Sequence, residues 1–494
     1  MLLAAGFPRV YVFRPAYIYP VEPRREPNFT SRVLRSIDPV FRLLFHNPVI
    51  RADDLARVMV DAVLLRQAEH PGPVFENREI RSMAQSHRAP AGRSSSRRRF
   101  ADTHPMEMNR TFQRMRRRPR RWLIAAALVA VVACAIANCA PLGGRATGAR
   151  LERMRSSPEW QGSHFENPQP IVNDIWRAIA NMTKVAPNVE PASPPSTVSV
   201  EPGRFAAPPP SGLRVTWLGH STILLEVDGH RFLTDPVWSE RVGPTALVGP
   251  KRWFPPLLAL RDLPPLDAVL LSHDHYDHLD YATIVALKDR NLTFVAPLGV
   301  GAHLERWGVP AAHIVEVDWW GSRTFGDLTL RSVPARHASG RVLIDDGAKL
   351  WTGYALIGAR HRVYYSGDTG LFPDMRTIGE KLGPFDLTMI EIGQYDQAWP
   401  DWHLGPEQAV EAHRRVRGAV MLPVHWGLFA LASHGWTEPI ERTLAAAHEA
   451  GAVVVTPRPG QSIEPTEEKP QERWWPELPW RTGAEYPIVA DHAE

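Results

Sequence analysis

The sequence predicts an α/β fold in which two sheets pack face to face beneath covering helices, and three observations carry that prediction. Between residues 213 and 456, short apolar or alternating runs recur among helical patterns of similar length. One Asp-Gly pair, at 228–229, sits between two such runs as a hairpin turn would. A dense polar turn, Ser272-His-Asp-His-Tyr-Asp-His-Leu-Asp280, follows directly on the apolar run ending at Leu271.

Taken in order, residues 214–218 and 223–227 alternate, and Asp228-Gly229 leads into a third strand at 231–233. The run 267–271 reads as a strand buried on both faces. Further strands are expected at 294–296, 328–333, 349–357, 362–366, 387–391, 420–423 and 453–456. Helical periodicity falls at 282–289, 301–306, 405–416 and 439–450.

A chain of 494 residues allows about three modules. The formal charge is +4, but the excess of arginine lies between 81 and 121, outside the strand-rich region. That distribution argues against a nucleic-acid enzyme, and no nucleic acid is expected as a partner. Cys134 and Cys139 are the only cysteines, so the strand-rich region has neither a disulfide framework nor thiolate ligands for a metal.

Residues 1–83 read as a strand and loop at 10–20 followed by amphipathic helices at 29–45 and 52–67. Arg14-Pro-Ala-Tyr-Ile-Tyr-Pro20, Ile50-Arg-Ala-Asp-Asp-Leu-Ala56 and Val74-Phe-Glu-Asn-Arg-Glu-Ile80 are similar to the C-terminal end of extended short-chain dehydrogenases and nucleoside-sugar epimerases. No Gly-x-Gly-x-x-Gly follows a strand upstream, so a fragment without cofactor or activity is expected, with Met108 and Met115 as alternative starts. Residues 84–121 form an arginine-rich disordered linker. Residues 122–140 carry no charge, and basic run, apolar run and small residues follow in the order of a signal peptide or signal anchor, with a buried core helix as the alternative. At about 19 residues the run just spans a bilayer. Insertion would keep the arginines cytoplasmic and place the catalytic domain in the periplasm on a single inner-membrane span; the alternative is a cytoplasmic protein. Val131-Val-Ala-Cys134 also loosely resembles a lipoprotein cleavage site. A helical arm and Pro/Ser-rich linker occupy 141–210, the main domain 211–465 and a tail 466–494.

The polar turn is a metal nest by composition. Histidine supplies nitrogen donors and aspartate hard oxygen donors, a mixture that suits Zn²⁺ and, less selectively, Fe or Mn. His273 and His275 are two apart and point the same way in an extended turn, while Asp277 and His278 face a second position. His273-x-His275-x-Asp277-His278 resembles the metal motif of the metallo-β-lactamase superfamily. Thr216-Trp-Leu-Gly-His220-Ser-Thr, Leu233-Thr-Asp235-Pro, Gly249-Pro-Lys-Arg252 and Ser163-His-Phe-Glu-Asn-Pro168 are similar to segments of N-acylphosphatidylethanolamine-hydrolysing phospholipases D and their bacterial relatives. The likeness covers about residues 155–465 and implies an αββα sandwich with its metals at one edge, between the sheets.

On the residues alone, His337 in Val333-Pro-Ala-Arg-His337 reads equally as a satisfied polar residue, and Asp368 in Ser366-Gly-Asp-Thr-Gly370 as an Asx turn. The resemblance implies two Zn²⁺ ions per chain: His273, His275 and His337 on one, Asp277, His278 and His425 on the other, and Asp368 joining them. Two such ions about 3.5–4 Å apart activate a water and clamp the attacking and leaving oxygens of a displacement. Asp277, Asp368 and His403 are the expected catalytic residues, His403 as proton donor or phosphoryl-oxygen ligand. His220, Asp235 and Asp280 are expected behind the ligands, the two carboxylates orienting metal-bound imidazoles. Trp253, Phe254, Trp319, Trp320, Trp399, Trp402, Trp426 and Phe429 are candidates for core or for an acyl-chain groove.

The expected partners are a phospholipid or other small-molecule ester, a membrane and a second copy of the chain. The expected reaction is phospholipase D-type hydrolysis of an N-acylphosphatidylethanolamine-like lipid. A lactonase or a phosphodiesterase for soluble substrates is the alternative among enzymes, and a non-catalytic metal-binding module the alternative outside them. Two departures from the phospholipase pattern weaken the lipid assignment: Glu391-Ile-Gly-Gln-Tyr-Asp396 replaces a proline-led version, and Arg336 stands in place of glutamine.

Overall fold

The computed structural model describes residues 140–493, apart from 172–173, 175–176, 178–185 and 343–344, together with four short strands nearer the N-terminus. Those strands pair in parallel, Val12–Arg14 with Val74–Glu76 and Tyr17–Tyr19 with Val49–Arg51, within a unit of residues Met1–Arg114. The helices expected at 29–45 and 52–67, the arginine-rich linker and the apolar run as far as Cys139 lie outside the described residues. Among the described residues no helix is long and apolar enough to cross a membrane.

The second unit, Met115–Glu494, contains the expected pair of sheets. The first is built from β1 (Leu213–Trp217), β2 (Ile223–Val227), β3 (His230–Thr234), β4 (Ala268–Leu270), β5 (Thr293–Pro297) and β6 (Ile314–Val317). The second is built from β7 (Ser322–Phe325), β8 (Leu328–Val333), β9 (Gly353–Ile357), β10 (Arg362–Tyr365), β11 (Phe385–Glu391), β12 (Gly418–Val424) and β13 (Val453–Val454). A last strand, β14 (Ser462–Ile463), returns to pair antiparallel with β1. In both sheets an antiparallel meander gives way to parallel strands: β3 through β6 in the first, β10 through β13 in the second.

Alternation explains the layering. Ile223, Leu225 and Val227 of β2, with Ala268 and Leu270 of β4, enter a core shared with Leu330, Leu356, Val363 and Leu387 of the second sheet. Their odd neighbours, Leu224, Val269 and Leu271, pack outward against Ile284 and Leu287 of α2 (Tyr281–Leu287) and Leu304 of α3 (Gly301–Arg306). On the other outer face lie α4 (Asp374–Leu382), α5 (Pro406–Arg415) and α6 (Glu438–Ala450). The hairpin turn takes φ +47° at Asp228 and +85° at Gly229, the two positive values that a two-residue turn of this kind demands.

Differences from the sequence expectation have local causes. The strand expected over 349–357 begins only at Gly353, because Leu350 N–H donates to Leu298 O and Thr352 N–H to Ser272 O, tying that stretch to the opposite sheet. The edge strand β7 is polar and mostly exposed, so no alternation marks it. Helix α4 was not expected: Met375, Ile378 and Leu382 share one face, but glycines at 379 and 383 break the pattern. Gly379 is needed there: a Cβ would lie 2.3 Å from Arg415 O, where α4 meets the end of α5. The arm preceding the main domain, α1 (Gly148–Arg155) and the pair Trp160–Gln161/His164–Phe165, buries Met154 and Phe165 against Leu298, Leu350 and Trp351. The expected tail is likewise packed, with Trp474 and Trp475 inside the main core.

Two buried histidines away from the metal motif make stability pH-dependent. Burial pulls both His413, bonded to Thr388 Oγ1 at 2.8 Å, and His434 down to about 4. The unfolded chain therefore binds more protons than the folded one between about pH 6.5 and 4. Stability is expected to fall as pH drops through that window, by up to about 3 kcal/mol per histidine. Urea midpoints at pH 7 and pH 5 check this, and His413→Gln should flatten the slope; an unchanged midpoint would refute it.

Candidate metal centre

Every expected ligand follows the carboxyl end of a strand, which is how parallel strands from both sheets deliver side chains to one edge of the sandwich. The turn after β4 carries His273, His275, Asp277 and His278; His337 follows β8, Asp368 follows β10 and His425 follows β12. His220, after β1, and His425 hold positive φ values of 54° and 62°, strained conformations for non-glycine residues. The sheets' loops meet at Gly367, where a Cβ would lie 2.8 Å from both Ser272 Cβ and Thr352 O. The close approach brings the Asp368 carboxylate against the imidazoles of the β4 turn.

The donor atoms form two clusters joined by one oxygen. His275 Nδ1 lies 2.9 Å from His273 Nε2 and 3.3 Å from His337 Nε2. Asp277 Oδ2 lies 3.3 Å from both His278 Nε2 and His425 Nε2. Asp368 Oδ2 stands between the clusters, 3.1 Å from His278 and His425 and 3.8 Å from His273 and His337, measured to Nε2 in each case. His220 comes forward of its expected place: its Nε2 is 2.9 Å from Asp277 Oδ2, and it shares a cluster with Asp277, His278 and His425 whose donor atoms all lie within 4.8 Å of one another.

Outer contacts aim these rings. Asp235 lies behind His278: Oδ2 is 2.8 Å from His278 Nδ1 and accepts from Ser272 Oγ and Tyr365 OH, while Oδ1 accepts Ser272 N–H at 2.7 Å. His337 Nδ1 donates to Trp402 O at 2.9 Å, which leaves Nε2 facing inward. Asn167 clamps the His337 backbone on both sides, donating to its carbonyl at 2.7 Å and accepting its N–H at 3.2 Å.

Asp280 corrects its expected role. Its oxygens accept from Ser239 N–H, Ser239 Oγ, Trp238 N–H and Thr283 Oγ1 at 2.5–3.2 Å, so it fastens the 238–239 loop to the start of α2 instead of orienting an imidazole. The sequence reading passed over two other carboxylates. Asp274 is 3.0 Å from His303 Nε2 and accepts Gly340 N–H at 2.7 Å, holding the β4 turn to the loop after His337. Glu391 ends β11 fully buried, with Oε2 2.7 Å from His403 Nδ1 and 3.4 Å from His425 Nδ1. Its signal was the one already used for Asp368 and His425, a charged residue ending an apolar strand.

The electrostatics divide the site. Burial, reinforced by the neighbouring His278 and His275, holds His273 well below the usual histidine range; burial also holds His337 there, and brings His220 down to about 3. Burial opposes charge on His425 and His278 too, but Asp368 and Asp277 outweigh it, raising His425 to about 10 and His278 well above normal. Asp368 itself stays well below the carboxylate range because His278 and His425 overcome its burial. Burial pushes the Glu391 carboxyl up, against the pull of His403. His278 Nε2 and Asp368 Oδ1 are buried with no hydrogen-bond partner, a costly arrangement that a divalent cation would relieve. Imidazoles held neutral at His273, His337 and His220, carboxylates whose charge the His278 and His425 rings now balance, and buried unpartnered atoms together fit a metal that would take over that balance.

Of the candidate aromatics, Trp426 stacks in the core on Trp217 and Trp474, Phe254 and Phe429 pack with Val237 and Leu428, and Trp319 packs with the arm. Trp402 lines a cavity of about 330 Å³ together with His337, Trp351 and residues of the arm, and Phe429 sits edge-on to His220. Arg336 points away from the site: it pairs with Asp401 at 2.9 Å, both side chains fully buried.

Residues 230–426 match the family model described as a beta-lactamase superfamily domain. An uncharacterized protein of Mycobacterium tuberculosis is 52% identical over 269 residues, which are 54% of this chain and 72% of that protein. A UPF0173 metal-dependent hydrolase of Methanopyrus kandleri is 31% identical over 221 residues, 44% of this chain and 85% of its own. The chain belongs to the metallo-β-lactamase superfamily. Membership makes it a metal-dependent hydrolase, and the His/Asp clusters at the sandwich edge could hold a metal ion. Within the superfamily, the hydrolase is 41% identical over 233 residues to N-acyl-phosphatidylethanolamine-hydrolyzing phospholipase D 1 of Caenorhabditis elegans, covering 45% of this chain and 65% of that enzyme.

Proposed function

We propose that the hydrolase holds two divalent ions, with zinc as the metal, and cleaves the phosphodiester of an N-acylphosphatidylethanolamine-like lipid, releasing an N-acylethanolamine and a phosphatidic acid. The observation that carries the two-ion reading is the position of Asp368 Oδ2, within 3.1–3.8 Å of four imidazole nitrogens drawn from both clusters. His273, His275 and His337 would hold one ion, Asp277, His278 and His425 the other, and Asp368 both. Bound there, the ions supply Lewis acidity and lower the pKa of the attacking water towards neutrality. The chain's own residues do the rest. Asp235 and Trp402 O fix His278 and His337, Asp277 ties His220 to the second cluster, and His403 Nδ1 lies 3.9 Å from Asp368 Oδ2, placing that ring beside the reacting position.

The likeness to the nematode phospholipase supports the lipid. The uncharged run 122–140 supports a membrane as its source, with the domain on the periplasmic side. One observation favours a soluble ester or lactone instead: the cavity beside His337 is lined by His164, Glu166, Asn167, Gln169 and Asp346 as well as by aromatics.

The test is the metal content of the full chain, with hydrolysis of an N-acylphosphatidylethanolamine measured alongside bis(p-nitrophenyl) phosphate and an acyl lactone. About two metals per chain and metal-dependent release of the N-acylethanolamine are expected. Turnover confined to the lactone or the soluble diester would overturn the lipid and keep the two-ion chemistry; a chain that takes up no metal would overturn both.

A further inference from the structure

We propose that Glu391 is a positioning residue of this hydrolase: it fixes the orientation and tautomer of His403, so that Nε2 is the nitrogen that the ring offers to substrate. The inference rests on the two-ion hydrolase reading for its kinetic consequence, but not for the geometry.

Glu391 is the last residue of β11, and its carboxylate is fully buried. Oε1 accepts Thr369 N–H at 2.5 Å and Leu404 N–H at 3.4 Å. Those amides belong to the residues directly after Asp368 and His403. One side chain therefore stitches the Asp368 loop to the His403 loop. Oε1 is taken up by these two backbone N–H donors, so Oε2 is the oxygen left to accept Nδ1–H of His403, 2.7 Å away.

With Nδ1 committed, Nε2 is the polar atom the ring has left. His403 lies parallel to His425, centroids 5.1 Å apart at 14°, and edge-on to His337 at 5.2 Å. His425 and His337 come from different clusters, so the His403 ring overlies their junction. Its side chain is 13% exposed, whereas those of His337 and His425 are at most 1% exposed, which makes it the ring of the three that a substrate would meet. A carboxylate fixing one imidazole nitrogen so that the other performs a task is a general device, and removing such a partner costs about 10–100-fold.

Nitrogen-15 spectra of histidine-labelled protein, with the His403 signals assigned by their loss in His403→Asn, test the assignment without relying on activity. Protonated Nδ1 is expected in the metal-free and the metal-loaded protein, and a Nδ1 without its proton in wild type would overturn the proposal. Glu391→Gln presents an amide donor to Nδ1 and should move the proton to Nε2. On bis(p-nitrophenyl) phosphate, kcat should fall up to about 100-fold while KM and bound metal stay unchanged. In a His403→Asn background the same substitution should cost nothing further. An equal cost in that background, or loss of metal from Glu391→Gln, would overturn the proposal by showing that Glu391 acts on His425 or on the fold. Wild-type protein that binds metal but cleaves none of the esters would defeat the proposed function, leaving the tautomer to decide the role of Glu391.

Discussion

Asp368→Asn is expected to lose at least one of the two proposed ions and to reduce hydrolysis by about a thousandfold or more, several kcal/mol of transition-state stabilisation at 1.36 kcal/mol per tenfold. The reason is the position of one oxygen. Asp368 Oδ2 faces His278 and His425 at 3.1 Å and His273 and His337 at 3.8 Å, and among the described residues no other carboxylate is shared between the clusters at such range. An amide has the same shape without the charge. It would leave the two raised histidines, His278 and His425, facing a neutral group, and it would present an N–H₂ where a cation belongs. Metal analysis and turnover on the same preparation check the result. A variant that keeps both ions and stays within tenfold of the wild-type rate would show that Asp368 does not join them.

The second large effect falls on stability. Arg336→Gln is expected to destabilise the fold by about 3–5 kcal/mol, because it strands a charge inside the protein. Arg336 and Asp401 side chains are both fully buried and paired at 2.9 Å. The guanidinium also donates to Leu371 O at 3.2 Å, Asp491 O at 2.6 Å and Pro170 O at 2.5 Å, so four separate stretches of chain converge on it. Glutamine can reach few of these and carries no charge to offset Asp401. Urea unfolding of Arg336→Gln, Asp401→Asn and the double variant checks the pairing: the double variant should recover a good part of the loss, and strictly additive losses would refute it. Arg336 thus belongs to the scaffold around the site, and its departure from the resembled pattern does not by itself bear on the substrate.

Most of the sandwich was legible because alternation is a strong signal. Residues 223–227 and 328–333 coincide with β2 and β8, since one side of each strand meets the opposite sheet and the other meets helices or solvent. What escaped were elements whose burial is set by distant neighbours: the half-buried edge strand β6, the polar edge strand β7, the two-residue β14 and the glycine-broken α4. The candidate ligands of the β4 turn stood out because imidazole and carboxylate crowded into one turn have few other uses, whereas His337, Asp368 and His425 were singled out by the resemblance. The supporting residues were legible only in part. Asp235 and Glu391 lie at strand ends and Asp280 at the start of α2, and only the folded geometry tells which one faces an imidazole and which one fastens a loop.

The clamp of Asn167 on the His337 backbone has a bearing on where the working unit begins. Covalent order places Asn167 before the Pro/Ser-rich stretch, at a point where a chain would ordinarily be divided, yet its amide completes the hydrogen bonding of a loop that carries a ligand. A polypeptide started at residue 211 would keep every strand of the sandwich and every donor atom, but would leave the His337 loop with two unpaired backbone groups and one wall of the neighbouring cavity missing. The arm therefore belongs with the site it closes, and a boundary drawn at residue 211 would take away the side chain that holds the His337 loop.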